Sequence, residues 1–262
     1  MVGVLWIYRD LTLVMAAITF GYYFGFFVNW VFLRRLYGRQ PFHLHPPTLS
    51  RMIRISSWVA FVGGVNGLFL ATDVIVLSKL QGEAAVGFYN TAGRFLTLAF
   101  LFIDSVGTAL LPVLSDLYHR SEAEFRKLSR MAFRCFTLGI FFFITVVGYF
   151  SDFWVTWIFG KEFLFSARIL RVLVWVVLFL GNSYFIGRLL FIANAQKYDF
   201  MAVSGVCVLN AVLCYFFTRQ WGPMGTASAV LISVIFLFLI HLYFLRSKVF
   251  MPREPEMKAA HS

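Results

Sequence analysis

Four ionisable residues, Asp73, Arg94, Asp104 and Arg188, interrupt stretches that are otherwise long and apolar. An ionised side chain at the centre of a bilayer costs on the order of 2.5 to 3.5 kcal/mol even on the lenient insertion scale, so each must face protein or water. Asp73 or Asp104 paired with Arg94 or Arg188 would simply lock helices together. The same groups lining a hydrated cavity would handle a charged solute. Spread over three segments, the set favours a cavity. Asn66, Asn182, Asn194, Asn210 and His241 are weaker polar sites, and Asn66 joins the four charges as a candidate path residue. His43 and His45 could ligate a metal, but no Cys or carboxylate stands beside them and they read as part of a linker. Cys135, Cys207 and Cys214 fall inside apolar segments, where they act as small packing residues.

The elements that must position these charges are seven apolar runs: 11–33, 55–77, 95–117, 135–151, 172–195, 200–218 and 224–245. Each is close to the roughly 20 residues a helix needs to cross the hydrocarbon core. The chain is 60% hydrophobic with 33 Phe and only 13% charged, against about 25% charged in a soluble domain. The fold class is therefore an all-α integral membrane protein with about seven transmembrane helices. The net charge of +11 sits at span ends, which points to a membrane surface and excludes nucleic acid as a partner. Of the 23 Lys and Arg, sixteen fall on one side of the spans and seven on the other, which predicts a cytoplasmic C-terminus.

The joints are too short to hold a soluble domain. The organisation expected is a leading helix over residues 1–35, a Pro/Arg-rich cytoplasmic linker over 36–54, a six-helix unit over 55–250 and a cytoplasmic tail over 251–262. Residues 1–8 are too short for a signal peptide and read as the end of an upstream helix, so a truncated or split protein is expected. Ser121 with Glu124 forms a capping box, and Phe125, Leu128 and Met131 behind it predict a short amphipathic interfacial helix leading into the fourth span. Trp154, Trp157 and Phe159 read as an interfacial anchor. Pro112 invites a kink in the third span, and Gly63, Gly64 and Gly67 provide small packing residues in the second. Together they are the candidate hinge. Gly21 and Gly25 serve the same packing role in the first span.

Asp73-Val74-Ile75-Val76-Leu77-Ser78, Gly82, and Val86-Gly87-Phe88-Tyr89-Asn90-Thr91-Ala92-Gly93-Arg94 resemble the signature of polysaccharide flippases, relatives of multidrug extruders and the lipid II flippase. The likeness continues through Leu111-Pro112-Val113-Leu114-Ser115, Ile158-Phe159-Gly160-Lys161-Glu162-Phe163 and Gly222-Pro223-Met224-Gly225-Thr226-Ala227. The resemblance implies a two-lobed fold with a central cleft, in which the first span here is similar to the sixth helix and the other six form the C-terminal lobe. The N-terminal lobe would then come from a separate chain or from self-association.

The activity this implies is flipping of lipid-linked oligosaccharide, such as O-antigen or exopolysaccharide units, across the bacterial cytoplasmic (inner) membrane. Arg94 and Arg188 would draw in the anionic linkage, and Asp73 and Asp104 would pair with them in one state. Asp104 would carry a coupling proton or sodium ion; no other cofactor is expected. Membrane lipids are the surrounding partners. The competing readings are a drug or lipid II exporter, a membrane glycosyl- or acyltransferase, and an inactive half-transporter. An enzyme would need a carboxylate pair or a His–Asp arrangement near the surface; Asp10, Asp152 and Glu162 are not paired in sequence and His119 has no evident partner.

Overall fold

The computed structural model describes residues 11–38 and 46–250. His43 and His45, the N-terminal residues before Leu11 and the C-terminal tail lie outside the described residues. All regular structure among the described residues is helical: α1 (Leu11–Tyr37), α2 (Pro46–Gln81), α3 (Glu83–Arg120), α4 (Glu122–Tyr149), α5 (Ser151–Phe159), α6 (Leu164–Ile192) and α7 (Gln196–Phe244). A 3-10 turn, Lys161–Phe163, precedes α6, and a π-turn, Leu245–Phe250, follows α7. The chain divides into two units between Ile53 and Arg54.

The smaller unit holds α1 and the start of α2. Apolar residues cover every side of α1, and none of its 22-residue span from Met15 to Leu36 is buried within the chain. A helix that is apolar all round and unburied by protein belongs in lipid. α2 begins at Pro46, inside the stretch expected to be linker, because proline is tolerated in a first helical turn where the missing N–H has no partner to lose.

In the larger unit α6 is the axis. It packs against α3, α4, α5 and α7, and Leu170, Leu173, Val174, Ile186, Leu189 and Leu190 are fully enclosed. Its sequence is close to uniformly apolar, as a helix surrounded by protein and hydrocarbon should be. α4 starts on Ser121, whose side chain accepts from the Glu124 backbone N–H at 3.4 Å. The amphipathic segment expected as a separate interfacial helix is instead the first turns of α4, which runs unbroken to Tyr149. α5 is a separate element: nine residues, about 14 Å long, cannot cross a bilayer. Its Trp157 is 71% exposed, and Asp152 pairs with Arg171 of α6. Gly160 ends it at φ 97°, a backbone region that favours glycine.

α7 is two spans in one assignment. Gly222 leaves helical geometry at φ 55° and ψ −138°. Thr218 and Thr226 hydroxyls then meet at 2.7 Å, where eight residues of straight helix would hold them about 12 Å apart. The chain therefore folds back as a hairpin, with segments 196–221 and 223–244 side by side. A Cβ at Gly225 would strike the Phe217 carbonyl. Tyr198 and Phe244, at the far end, close the hairpin with ring centroids 5.0 Å apart.

A methyl at Gly63, Gly64 or Gly67, or at Gly21 or Gly25, would meet nothing within 4 Å among the described residues. Pro112 lies inside α3, which runs from Glu83 to Arg120.

Candidate functional site

α2, α3 and α6 wall a cavity of about 800 Å³, and Asp73, Arg94, Asp104 and Arg188 all line it. Tyr89, Asn90, Thr97, Phe100 and Tyr184 complete its polar and aromatic surface. The chain brings Asp73 there by reversing at Gly82, which sits at φ 80°. The Tyr89 hydroxyl donates to Asp73 Oδ2 at 2.6 Å, a contact between residues that an unbroken helix would place about 24 Å apart. Asp73 Oδ1 accepts from the Val74 backbone N–H at 2.8 Å. Asp73 is thus held by neutral donors, and pairing with an arginine is not its state here.

Asp104 and Arg188 are 84 residues apart and meet directly, Nη2 to Oδ1 at 2.5 Å. The same nitrogen reaches the Asp104 carbonyl at 3.4 Å. The approach depends on Gly107, one turn along α3, where any Cβ would coincide with the Arg188 guanidinium. Tyr184, one turn before Arg188, stands edge-on to Phe100 with centroids 5.8 Å apart and braces the α3–α6 contact. Arg94 is different. Its guanidinium lies 5.8 Å from the Phe159 ring, and no carboxylate reaches it within ion-pair distance among the described residues. With Asp73 satisfied by neutral groups and Asp104 by Arg188, Arg94 is the cation of the cavity without an ionic partner.

Behind Arg188 a smaller pocket of about 310 Å³ shares Tyr184 and Arg188 with the cavity and adds Asn66, Ser183, Asp199 and His241. Asn66 therefore stands in this neighbouring chamber, apart from the other four path candidates. His241 is 2% exposed, and its Nε2 lies 3.0 Å from Asp199 Oδ1, out of line for a hydrogen bond. Ser183 Oγ and Arg188 Nη1 are also buried without a partner among the described residues. The pairing of Asp199 with His241 was missed in the sequence, although the two lie at matching depth on the two arms of the α7 hairpin. Replacing Asp199 by Ala removes the carboxylate that faces the buried His241, and the midpoint of thermal unfolding in detergent should fall by the equivalent of about 0.5 to 3 kcal/mol. An unchanged midpoint would mean that the contact contributes nothing to stability.

Of the other polar candidates, one pins two helices together. Asn182 accepts from the Thr137 hydroxyl at 2.7 Å, joining α6 to α4. Asn210 accepts from Cys214 one turn along. Asn194 takes the left-handed backbone of the joint between α6 and α7, at φ 55°. Among the described residues no group of three or more His, Cys, Asp or Glu gathers to hold a metal ion.

Long apolar helices around a cavity that carries ionised groups define the class: a multi-pass, all-α membrane protein. Residues 1–118 match the family model described as polysaccharide biosynthesis protein. The chain is 28% identical over 196 residues to the capsular polysaccharide biosynthesis protein CapF of Staphylococcus aureus, covering 73% of this chain and 48% of CapF. It is 26% identical over 195 residues to the probable low-salt glycan biosynthesis flippase Agl15 of Haloferax volcanii, covering 72% of this chain and 40% of Agl15. Among solved structures it resembles the lipid II flippase MurJ in an inward closed conformation, with a TM-score of 0.62 and 20% identity over 79% of this chain and 46% of that one. The chain is therefore similar, over part of its length, to proteins of polysaccharide biosynthesis and to a probable glycan flippase. It spans about half the length of these relatives or less.

Proposed function

We propose that this chain supplies one wall of the cleft of a flippase that moves lipid-linked oligosaccharide across the cytoplasmic membrane for cell-surface polysaccharide synthesis. The observation that carries the reading is the cavity of about 800 Å³ into which Arg94 and Arg188 both face. A phosphate or pyrophosphate linkage and its sugars cannot cross hydrocarbon unaided, because every polar group left unpaired there costs several kcal/mol. A cationic, hydrated groove shelters the head group while the lipid tail stays in the bilayer. Arg94 offers its unpaired guanidinium to the anion. Arg188 is held by Asp104 in this state and exchanges that carboxylate for the linkage in another, and Asp104, once released, is the candidate to take up a coupling proton or sodium ion. Asp73 keeps its neutral donors, Asn66 belongs to the adjoining chamber, and Pro112 with the glycines at 63, 64 and 67 gives α2 and α3 freedom to bend.

The reading assigns the wall opposite this cavity to an N-terminal lobe in a separate chain or to a second copy. The charge count orients the C-terminus to the cytoplasm. The test is export of labelled lipid-linked oligosaccharide in a flippase-deficient strain that expresses this chain, alone and with a candidate N-terminal half. Restored export supports the reading. Membrane-inserted protein that restores nothing in either setting overturns it. A membrane glycosyl- or acyltransferase would instead turn over a labelled polyprenyl-phosphate sugar in detergent.

A further inference from the structure

At the end of the bundle where α6 stops and α7 begins, two lysines converge on one aromatic ring with no counter-charge among the described residues. The Lys197 Nζ lies 5.1 Å from the Tyr198 ring centroid and the Lys248 Nζ 4.9 Å. Both lysines are exposed, as is Arg246 in the same π-turn. None of the three forms an ion pair among the described residues. The carboxylate nearest Lys197 in sequence, Asp199, is turned inward to His241. Like charges held over one ring repel each other. The ring's negative face offsets part of that repulsion, but each contact of this kind at an exposed site is weak. An anion bridging the two ammonium groups removes the conflict.

The surroundings specify the kind of anion. Phe244 packs against Tyr198 at 5.0 Å, Tyr243 packs against Phe244 at 5.5 Å, and Tyr243 is 67% exposed. Cations here stand at the end of two apolar spans, directly beside exposed aromatic surface. Basic clusters at that level attract anionic lipid head groups, and aromatic rings prefer the same depth. A soluble anion would use the lysines alone and leave the aromatic surface without a role.

We propose that Lys197, Tyr198 and Lys248, with Arg246 at the rim, form a binding site for the phosphate of an anionic membrane phospholipid. The site is distinct from the cavity walled by α2, α3 and α6, and it does not rest on the flippase reading. The phosphate bridges the two lysine ammonium groups, and the acyl chains run along Tyr243 and Phe244.

The full chain is reconstituted in nanodiscs of equal phosphatidylglycerol and phosphatidylcholine, released into the gas phase, and the lipids it retains are identified by native mass spectrometry. Phosphatidylglycerol should be retained over phosphatidylcholine by roughly twenty-five-fold, since each of the two juxtamembrane lysines contributes about a factor of five. The double variant Lys197→Ala/Lys248→Ala should fall to the bulk ratio with its helical circular dichroism unchanged. Lys197→Arg/Lys248→Arg should keep the enrichment, as should the control Lys79→Ala/Lys161→Ala. An enrichment that survives the double alanine variant, or that the control also removes, overturns the site. Loss of bound phosphatidylglycerol on adding inorganic phosphate at millimolar concentration also overturns it, in favour of a soluble anion.

Discussion

Arg94→Gln is expected to lower export of lipid-linked oligosaccharide at least tenfold while the protein inserts and accumulates in the membrane at its normal level. Four formal charges line the cavity, two of each sign, but they are not equivalent. Asp73 is satisfied by Tyr89 and a backbone N–H, and Asp104 by Arg188. Removing Arg94 therefore removes the one cavity cation without an ionic partner among the described residues and leaves the cavity net anionic. A hydrogen bond to a charged group contributes about 1.5 to 3 kcal/mol, which is a factor of roughly ten to a hundred. Arg188→Gln makes the same change in net charge and also leaves Asp104 without its ion partner, so a loss of the same order is expected. Arg94→Lys should recover part of the activity, because lysine keeps the charge and loses the bidentate geometry. Export retained in both glutamine variants would refute the role of these arginines.

Gly107→Val is expected to imitate Arg188→Gln, although residue 107 carries no charge in either form. A Cβ at this position occupies the space of the Arg188 guanidinium, and a branched side chain drives the arginine away from Asp104. Overpacking of this kind costs about 1 to 3 kcal/mol where the neighbour must move, and the long arginine side chain yields more readily than the backbone. Export should fall by an order of magnitude or more. Because both substitutions break one contact, the double variant Gly107→Val/Arg188→Gln should be no worse than Arg188→Gln alone. Additive losses would show that Gly107 acts through some other contact, and full activity in Gly107→Val would show that the Asp104–Arg188 pair is dispensable.

The spans were legible because the solvent dictates composition: α1, α3, α4 and α6 follow from length and apolarity alone. The four cavity charges were legible for the same reason, since an ion in hydrocarbon is conspicuous. Partner choice was harder to read. Matching charge with charge offered Asp73 an arginine and overlooked Tyr89, a neutral donor. The signal was present in chain geometry. When two helices reverse at a short joint, residues at similar distances from it meet at one depth. Thr218 and Thr226 flank Gly222 symmetrically, and Asp73 and Tyr89 about Gly82 and Asp199 and His241 about Gly222 do so to within a turn of helix. No such symmetry relates Asp104 to Arg188, whose meeting depends on how α3 packs on α6. The glycines of α2 show the same limit: small residues permit close approach, but sequence does not say whether a neighbour comes.

Whether the ionised side chains border water is tested most directly by thiol accessibility. In a background with Cys135, Cys207 and Cys214 replaced by alanine, Thr97→Cys places a thiol on the cavity wall, and Leu98→Cys places one on the exposed apolar side of the same helix. A charged, membrane-impermeant thiol reagent applied from each side of the membrane in turn should modify the cysteine at 97 from at least one side and leave the cysteine at 98 unmodified from both. Modification of neither residue, or of 98 as readily as 97, would contradict a hydrated cavity and the export reading built on it.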